Sequence, residues 1–154
     1  MNDPVLWDWF PASWPCPHEL ERVGVIGDGG KWVCGAERLV QVPNCVIYSF
    51  GVEQQSSFEA AFLRRSDNCK IWAYDFSVTQ IGPEIRNDAE LAPRVKFTPY
   101  RFDNVNVEKT KDNPETHTLS YIMRENGHDF IDLLKVRRCP FSRTEVLTSV
   151  ARLT

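Results

Sequence analysis

The chain has 154 residues, with 18 basic against 21 acidic side chains, a formal charge of −3 and a pI near 5.6. That length suits one domain and excludes two full ones. Hydrophobic residues at 42% and charged residues at 25% exclude disorder over the whole chain. The acidic balance offers no footprint for a nucleic-acid backbone, so nucleic acid is not an expected partner.

Residues 1–22 are dense in tryptophan and proline (Trp7, Trp9, Trp14, Pro11, Pro15, Pro17). Prolines at that density stop a helix, and the segment is expected to cap a domain edge. It has no basic region followed by a long apolar stretch, so it does not read as a secretory leader, and a cytoplasmic chain is expected. The longest apolar run, Cys45-Val46-Ile47-Tyr48-Ser49-Phe50, is far below the roughly 20 residues that span a bilayer. No membrane span is expected.

Residues 22–35 hold five of the eight glycines (Gly24, Gly27, Gly29, Gly30, Gly35), a density that marks turns. A phosphate loop is excluded, because Gly30-Lys31 is followed by Trp32 where Ser or Thr would have to reach the metal. The same Trp32 blocks the last glycine of a dinucleotide fingerprint. A tight turn leading into an extended Lys31–Cys34 segment accounts for the stretch. The five cysteines (Cys16, Cys34, Cys45, Cys69, Cys139) include no C-x-x-C pair, which argues against a zinc ribbon. Their odd number argues against a closed disulfide framework, and buried free thiols are the expectation.

Beyond Asn44 the pattern becomes regular. Residues 46–52 read as a buried strand. Residues 56–65 read as a helix with Phe58, Ala61 and Phe62 at helical spacing and Ser56-Ser57-Phe58-Glu59 as a capping box. Further strands are expected at 70–76, 95–99 and 130–136, with a polar loop at 104–115. A helix is expected at 118–126, with Leu119, Ile122 and Met123 on one face and Gly127 closing it. Alternating strands and helices imply βαβ units and a parallel sheet, an α/β fold. His18, His117 and His128 have no metal-ligand spacing and are expected to be surface or hydrogen-bonded histidines.

In an open α/β sheet, ligands bind beyond the carboxyl ends of the strands. Gly51 falls at such an end, where a missing side chain lets a ligand approach the backbone. Asp75 ends the next strand, at the spacing of about 20 residues that suits an acceptor for ribose hydroxyls. Asp75 thus reads either as a ribose ligand or as a cap on a turn, and Glu53 either as a ligand contact or as a loop carboxylate.

The strings Gly27-Asp28-Gly29-Gly30-Lys31-Trp32-Val33-Cys34, Ile47-Tyr48-Ser49-Phe50-Gly51, Ser56-Ser57-Phe58-Glu59, Tyr74-Asp75-Phe76-Ser77 and Asn126-Gly127-His128 resemble a eukaryotic family of S-adenosylmethionine-dependent methyltransferases related to the FkbM type. The resemblance covers about residues 16–136. It implies a Rossmann-like class I methyltransferase sheet and S-adenosylmethionine as a small-molecule cofactor. It also implies Gly51 and Glu53 in the first cofactor loop, Asp75 on the ribose and Asp103 near the adenine. The organisation it implies is a cap at 1–22, a partial methyltransferase-like domain at 23–136 and a divergent tail at 137–154. Relatives carry an Asp-x-Glu-Gly motif after the strand that corresponds to Ile131-Asp132-Leu133-Leu134-Lys135-Val136, where this chain has Arg137-Arg138-Cys139-Pro140. The resemblance therefore implies a sheet incomplete at its C-terminus, a truncated form with impaired catalysis. The alternative is a non-catalytic adenosine-cofactor-binding or interaction module.

An incomplete sheet would leave residues 130–136 as an edge, with Lys135 as partial protection against edge pairing. Residues 142–153 read as a short helix capped by Ser142 and Glu145, whose stripe of Val146, Leu147, Val150 and Leu153 could cover that edge. Deleting residues 141–154 is expected to cause aggregation or loss of cooperative unfolding. Identical melting curves and monomer content for the two chains would contradict this.

Overall fold

The computed structural model describes residues 15–27 and 29–137. The helix expected at 142–153 and most of the Trp/Pro cap lie outside these residues. The chain opens with a hairpin of β1 (Leu20–Val23) and β2 (Lys31–Cys34), antiparallel with Leu20 opposite Cys34 and Val23 opposite Lys31. The extended segment after the glycine turn is present. Its partner β1 was not legible, because it falls partly within the segment that composition assigns to the cap.

After a single helical turn, α1 (Ala36–Leu39), the chain builds a parallel sheet from β3 (Val46–Phe50), β4 (Lys70–Tyr74), β5 (Val95–Thr98) and β8 (Leu133–Val136). The remaining elements are α2 (Ser57–Arg65), α3 (Pro83–Arg86), a 3₁₀ turn (Ala92–Arg94), the short pair β6 (Arg101–Phe102) and β7 (Thr116–His117), and α4 (Leu119–Asn126). The sheet order is β5-β4-β3-β8. Its first strand thus lies between its second and fourth, as in the first four places of the doubly wound order 3-2-1-4-5-6. The α/β, Rossmann-like sheet expected from the sequence is present.

The strands form because Val46, Ile47, Tyr48, Phe50, Ile71, Trp72 and Tyr74 are residues that pack well on a pleated surface covered on both faces. Alternation divides them. Ile47, Ile71, Ala73 and Leu133 pack with Phe58, Phe62 and Leu63 of α2. Tyr48, Phe50 and Tyr74 pack on the other face with Ile122 of α4. Arg94 joins α2 to β4, its guanidinium donating to the carbonyls of Leu63 at 3.0 Å, Cys69 at 2.9 Å, and Ser66.

α4 begins and ends as the sequence indicates, with the Thr118 hydroxyl accepting from Tyr121 N and Gly127 at φ 70°. The last strand starts later than expected. At its entry Asp132 N donates to Val46 O at 2.9 Å, and Val46 N donates to Asp132 Oδ2 at 2.8 Å. Only from Leu133 does the regular ladder with β3 run. Among the described residues β8 pairs with β3 alone, so it is an edge. Lys135 does not guard that edge from solvent, however: it is 8% exposed and turns inward.

Two further expectations are corrected. The capping box does not form, because the Ser56 hydroxyl accepts from Gly82 N at 3.0 Å instead of closing the helix, and Glu59 points into the core. The cysteines described are not free thiols, since Cys16 is bonded to Cys34 and Cys45 to Cys69. The second pair follows from the register. Val46 stands opposite Lys70, which sets the preceding residues side by side with their Cα atoms 4.3 Å apart. Spacing along the chain carries no such information. Each crosslink closes a loop whose unfolded entropy it removes, an effect of about 3 kcal/mol for a loop near 15 residues.

On the α4 face, burial raises the Tyr48 and Tyr74 hydroxyls above their ordinary value of 10.0, so both stay protonated. Asn126 Nδ2 donates to Tyr74 Oη at 2.7 Å and to Ile122 O at 2.8 Å, and Tyr48 Oη lies 2.8 Å from His128 Nδ1. Burial lowers the His128 pKa below its ordinary 6.5.

Two outcomes are expected. Thiol titration of the denatured, unreduced protein should give at most one thiol, against five after reduction; five in both would contradict the crosslinks. Because His128 titrates lower in the folded chain, the stability it contributes is present above pH 6.5 and lost on acidification. The melting temperature should fall below that pH, and less so for His128→Asn; an unchanged acid-side slope would contradict this.

Candidate functional site

The carboxyl ends of β3 and β8 border a cavity of about 220 Å³ lined by Gly29, Gly51, Val52, Glu53, Gln55, Lys135 and Arg137. It lies where the strand order reverses, the place where open α/β sheets leave a crevice because neighbouring connections depart to opposite faces.

Gly51 follows β3 at φ 77°. A Cβ there would meet Arg137 Cβ at 3.0 Å and Arg137 O at 3.2 Å, so the space a side chain would take is filled by the end of β8. The glycine brings the two strand ends together, whatever else approaches it. Glu53 also has positive φ, at 45°, and its carboxylate pairs with Arg137 at 2.7 Å. Gly29 closes the cavity from the hairpin turn, where a Cβ would lie 2.5 Å from Gln55 Oε1 and 2.6 Å from Ser57 Oγ. The glycine-rich stretch is therefore a wall of this cavity as well as a turn.

Asp75, 6% exposed, directly follows β4. Its Oδ1 accepts from Ser77 N at 2.8 Å and Ser77 Oγ at 2.6 Å, and its Oδ2 accepts from Glu53 N at 2.7 Å. It therefore does fix a turn, and at the same time it ties the turn after β4 to the loop after β3. Asp103 stands apart from the cavity lining. It follows β6, is paired with Arg101 at 3.3 Å, and connects to the Asp75 turn through Arg101, which lies 5.8 Å from the Phe76 ring centroid. The structure thus unites Gly51, Glu53 and Asp75 and places Asp103 on an adjoining patch.

Two residues, Lys135 in the cavity wall and Glu59 behind it, were missed by sequence reasoning. Glu59 of α2 is fully buried, accepting from Ser49 Oγ at 2.5 Å and pairing with Lys135 Nζ at 3.2 Å. Lys135 also donates to Gly51 O at 3.0 Å. Glu59 Oε2 is buried with no hydrogen-bond partner. The available signals were a lysine inside an apolar strand and a glutamate on the apolar side of a helix. Among the described residues no cluster of His, Cys, Asp and Glu could hold a metal ion. His117 pairs with Glu115 at 3.0 Å, so it and His128 are hydrogen-bonded as expected.

Fold and site together define a doubly wound α/β protein with a charged cavity at its switch point. The family described as methyltransferase domain matches residues 6–145, a wider span than the motifs alone cover, and the chain belongs to that family. No curated protein and no solved structure matches it.

Proposed function

We propose that this methyltransferase domain takes its methyl group from S-adenosylmethionine, held at the switch-point cavity. One observation carries the reading: a cavity between the loop after β3 and the end of β8, with a buried aspartate tied to that loop at the end of the next strand. The residues fit such a cofactor. Asp75 Oδ2 accepts only from Glu53 N and retains a lone pair, enough to take up a ribose hydroxyl. Phe76, 36% exposed, offers a flat apolar surface beside it, towards Asp103, for an adenine. Glu53, Glu59 and Asp75 against Lys135 and Arg137 leave a local excess of one negative charge. That excess complements a sulfonium whose amino-acid part is itself neutral overall.

The cofactor supplies an electrophilic methyl group on sulfur, and the chain's task is to position and desolvate it. Arg137 follows β8 where relatives carry carboxylates, but Glu53 brings a carboxylate to that point from the opposite loop. Membership of the methyltransferase-domain family supports an active enzyme over a purely non-catalytic module. The acceptor is a second substrate, approaching over the same strand ends.

No helix among the described residues is long and apolar enough to cross a membrane. As to compartment, the Cys16–Cys34 and Cys45–Cys69 crosslinks favour an oxidising environment over the cytoplasm.

Isothermal titration with S-adenosylmethionine tests the reading. Hydrogen bonds to a charged acceptor are worth about 1.5–3 kcal/mol, so Asp75→Ala should weaken binding roughly 10- to 150-fold. Because Asp75 also holds Glu53 N, its melting curve is measured alongside. A folded Asp75→Ala protein with unchanged affinity would remove the aspartate from the site, and a wild-type chain that binds no S-adenosylmethionine would overturn the proposal.

A further inference from the structure

We infer that Lys135, held in place by Glu59, is the recognition element for the α-carboxylate of the cofactor's amino-acid end; this rests on the reading above and names the part of the ligand that this part of the cavity takes.

Glu59 is 0% and Lys135 8% exposed, and removing two charges from water is expensive enough that an apolar pair of similar volume often serves stability as well or better. Packing alone does not account for charges here, since the core on this face is built of residues such as Ile47, Phe58, Phe62 and Leu133. The pair instead lies against the cavity, with Lys135 in its wall.

An ammonium has three hydrogens. Among the described residues Lys135 Nζ spends one on Gly51 O at 3.0 Å and one on Glu59 Oε1 at 3.2 Å. The third belongs to a group that lines the cavity. Glu59 is held in turn by Ser49 Oγ at 2.5 Å, so the ammonium is fixed from below by two strands and a helix. The other cation of the lining, Arg137, pairs with Glu53 at the more exposed rim, where the two side chains are 28% and 57% exposed. A carboxylate entering the cavity therefore meets Lys135 as its deep cation. Glu59 is a positioning residue, acting through the lysine.

The test compares two ligands that share the adenosine and sulfur but differ in the amino acid, S-adenosylhomocysteine and 5′-methylthioadenosine. On the wild-type chain, titration calorimetry should show the first binding at least about tenfold more tightly, the scale of a single charge-assisted hydrogen bond. Lys135→Met alone would strand a buried carboxylate, so the informative variant is Glu59→Gln with Lys135→Met, which removes both charges together. In that protein the S-adenosylhomocysteine affinity should fall about tenfold or more, and the 5′-methylthioadenosine affinity should stay within about twofold. Equal binding of the two ligands by the wild type would overturn the inference while leaving the cofactor reading intact. So would a double variant that keeps the preference or loses both ligands equally. Failure of the wild type to bind either ligand would overturn both.

Discussion

A fully buried carboxylate, Glu59, is the constraint around which the ligand end of this fold is arranged. A charge without access to water has to be met by a partner on the spot. Ser49 of β3 and Lys135 of β8 provide that, drawing a helix and two strands to one point. Lys135 then reaches Gly51 O, and the close approach of Arg137 to Gly51 completes the junction. Replacing any member by an apolar residue alone leaves a buried group unmatched. The cavity above inherits its shape and its charge from this junction.

The opposite ends of the same strands are secured differently. There the Cys45–Cys69 crosslink joins β3 to β4, and Asp132 exchanges two hydrogen bonds with Val46. The crosslink lies beneath the sheet's core, at the end of the strands away from the cavity, which fits a structural role rather than a catalytic one. Between the two ends, large apolar side chains cover both faces of the sheet. Covalent and apolar interactions hold the floor and electrostatic ones hold the site.

Much of the sheet was legible in the sequence because its signals are local. Runs such as Val46-Ile47-Tyr48 and the Thr118…Gly127 bracket of α4 carry their own periodicity and caps. Gly51, Glu53 and Asp75 were legible as strand-end residues at a suggestive spacing, and the structure brings them together. What failed was everything that depends on register. Ser56 and Glu59 match a capping box in one dimension, but in the folded chain a buried lysine competes for the glutamate. The Cys45–Cys69 pair and the inward turn of Lys135 both follow from which residue stands opposite which on neighbouring strands. The β1 strand was hidden for a related reason, as its partner lies beyond a glycine turn.

On the proposed reading, S-adenosylmethionine occupies the switch-point cavity between β3 and β8. Amide chemical-shift mapping of the labelled chain during addition of S-adenosylmethionine tests it most directly. The largest shifts should fall on Gly29, Gly51, Val52, Glu53 and Lys135, with a second group at Asp75 and Phe76. Shifts confined to the α4 face of the sheet, or none at saturating ligand, would contradict it.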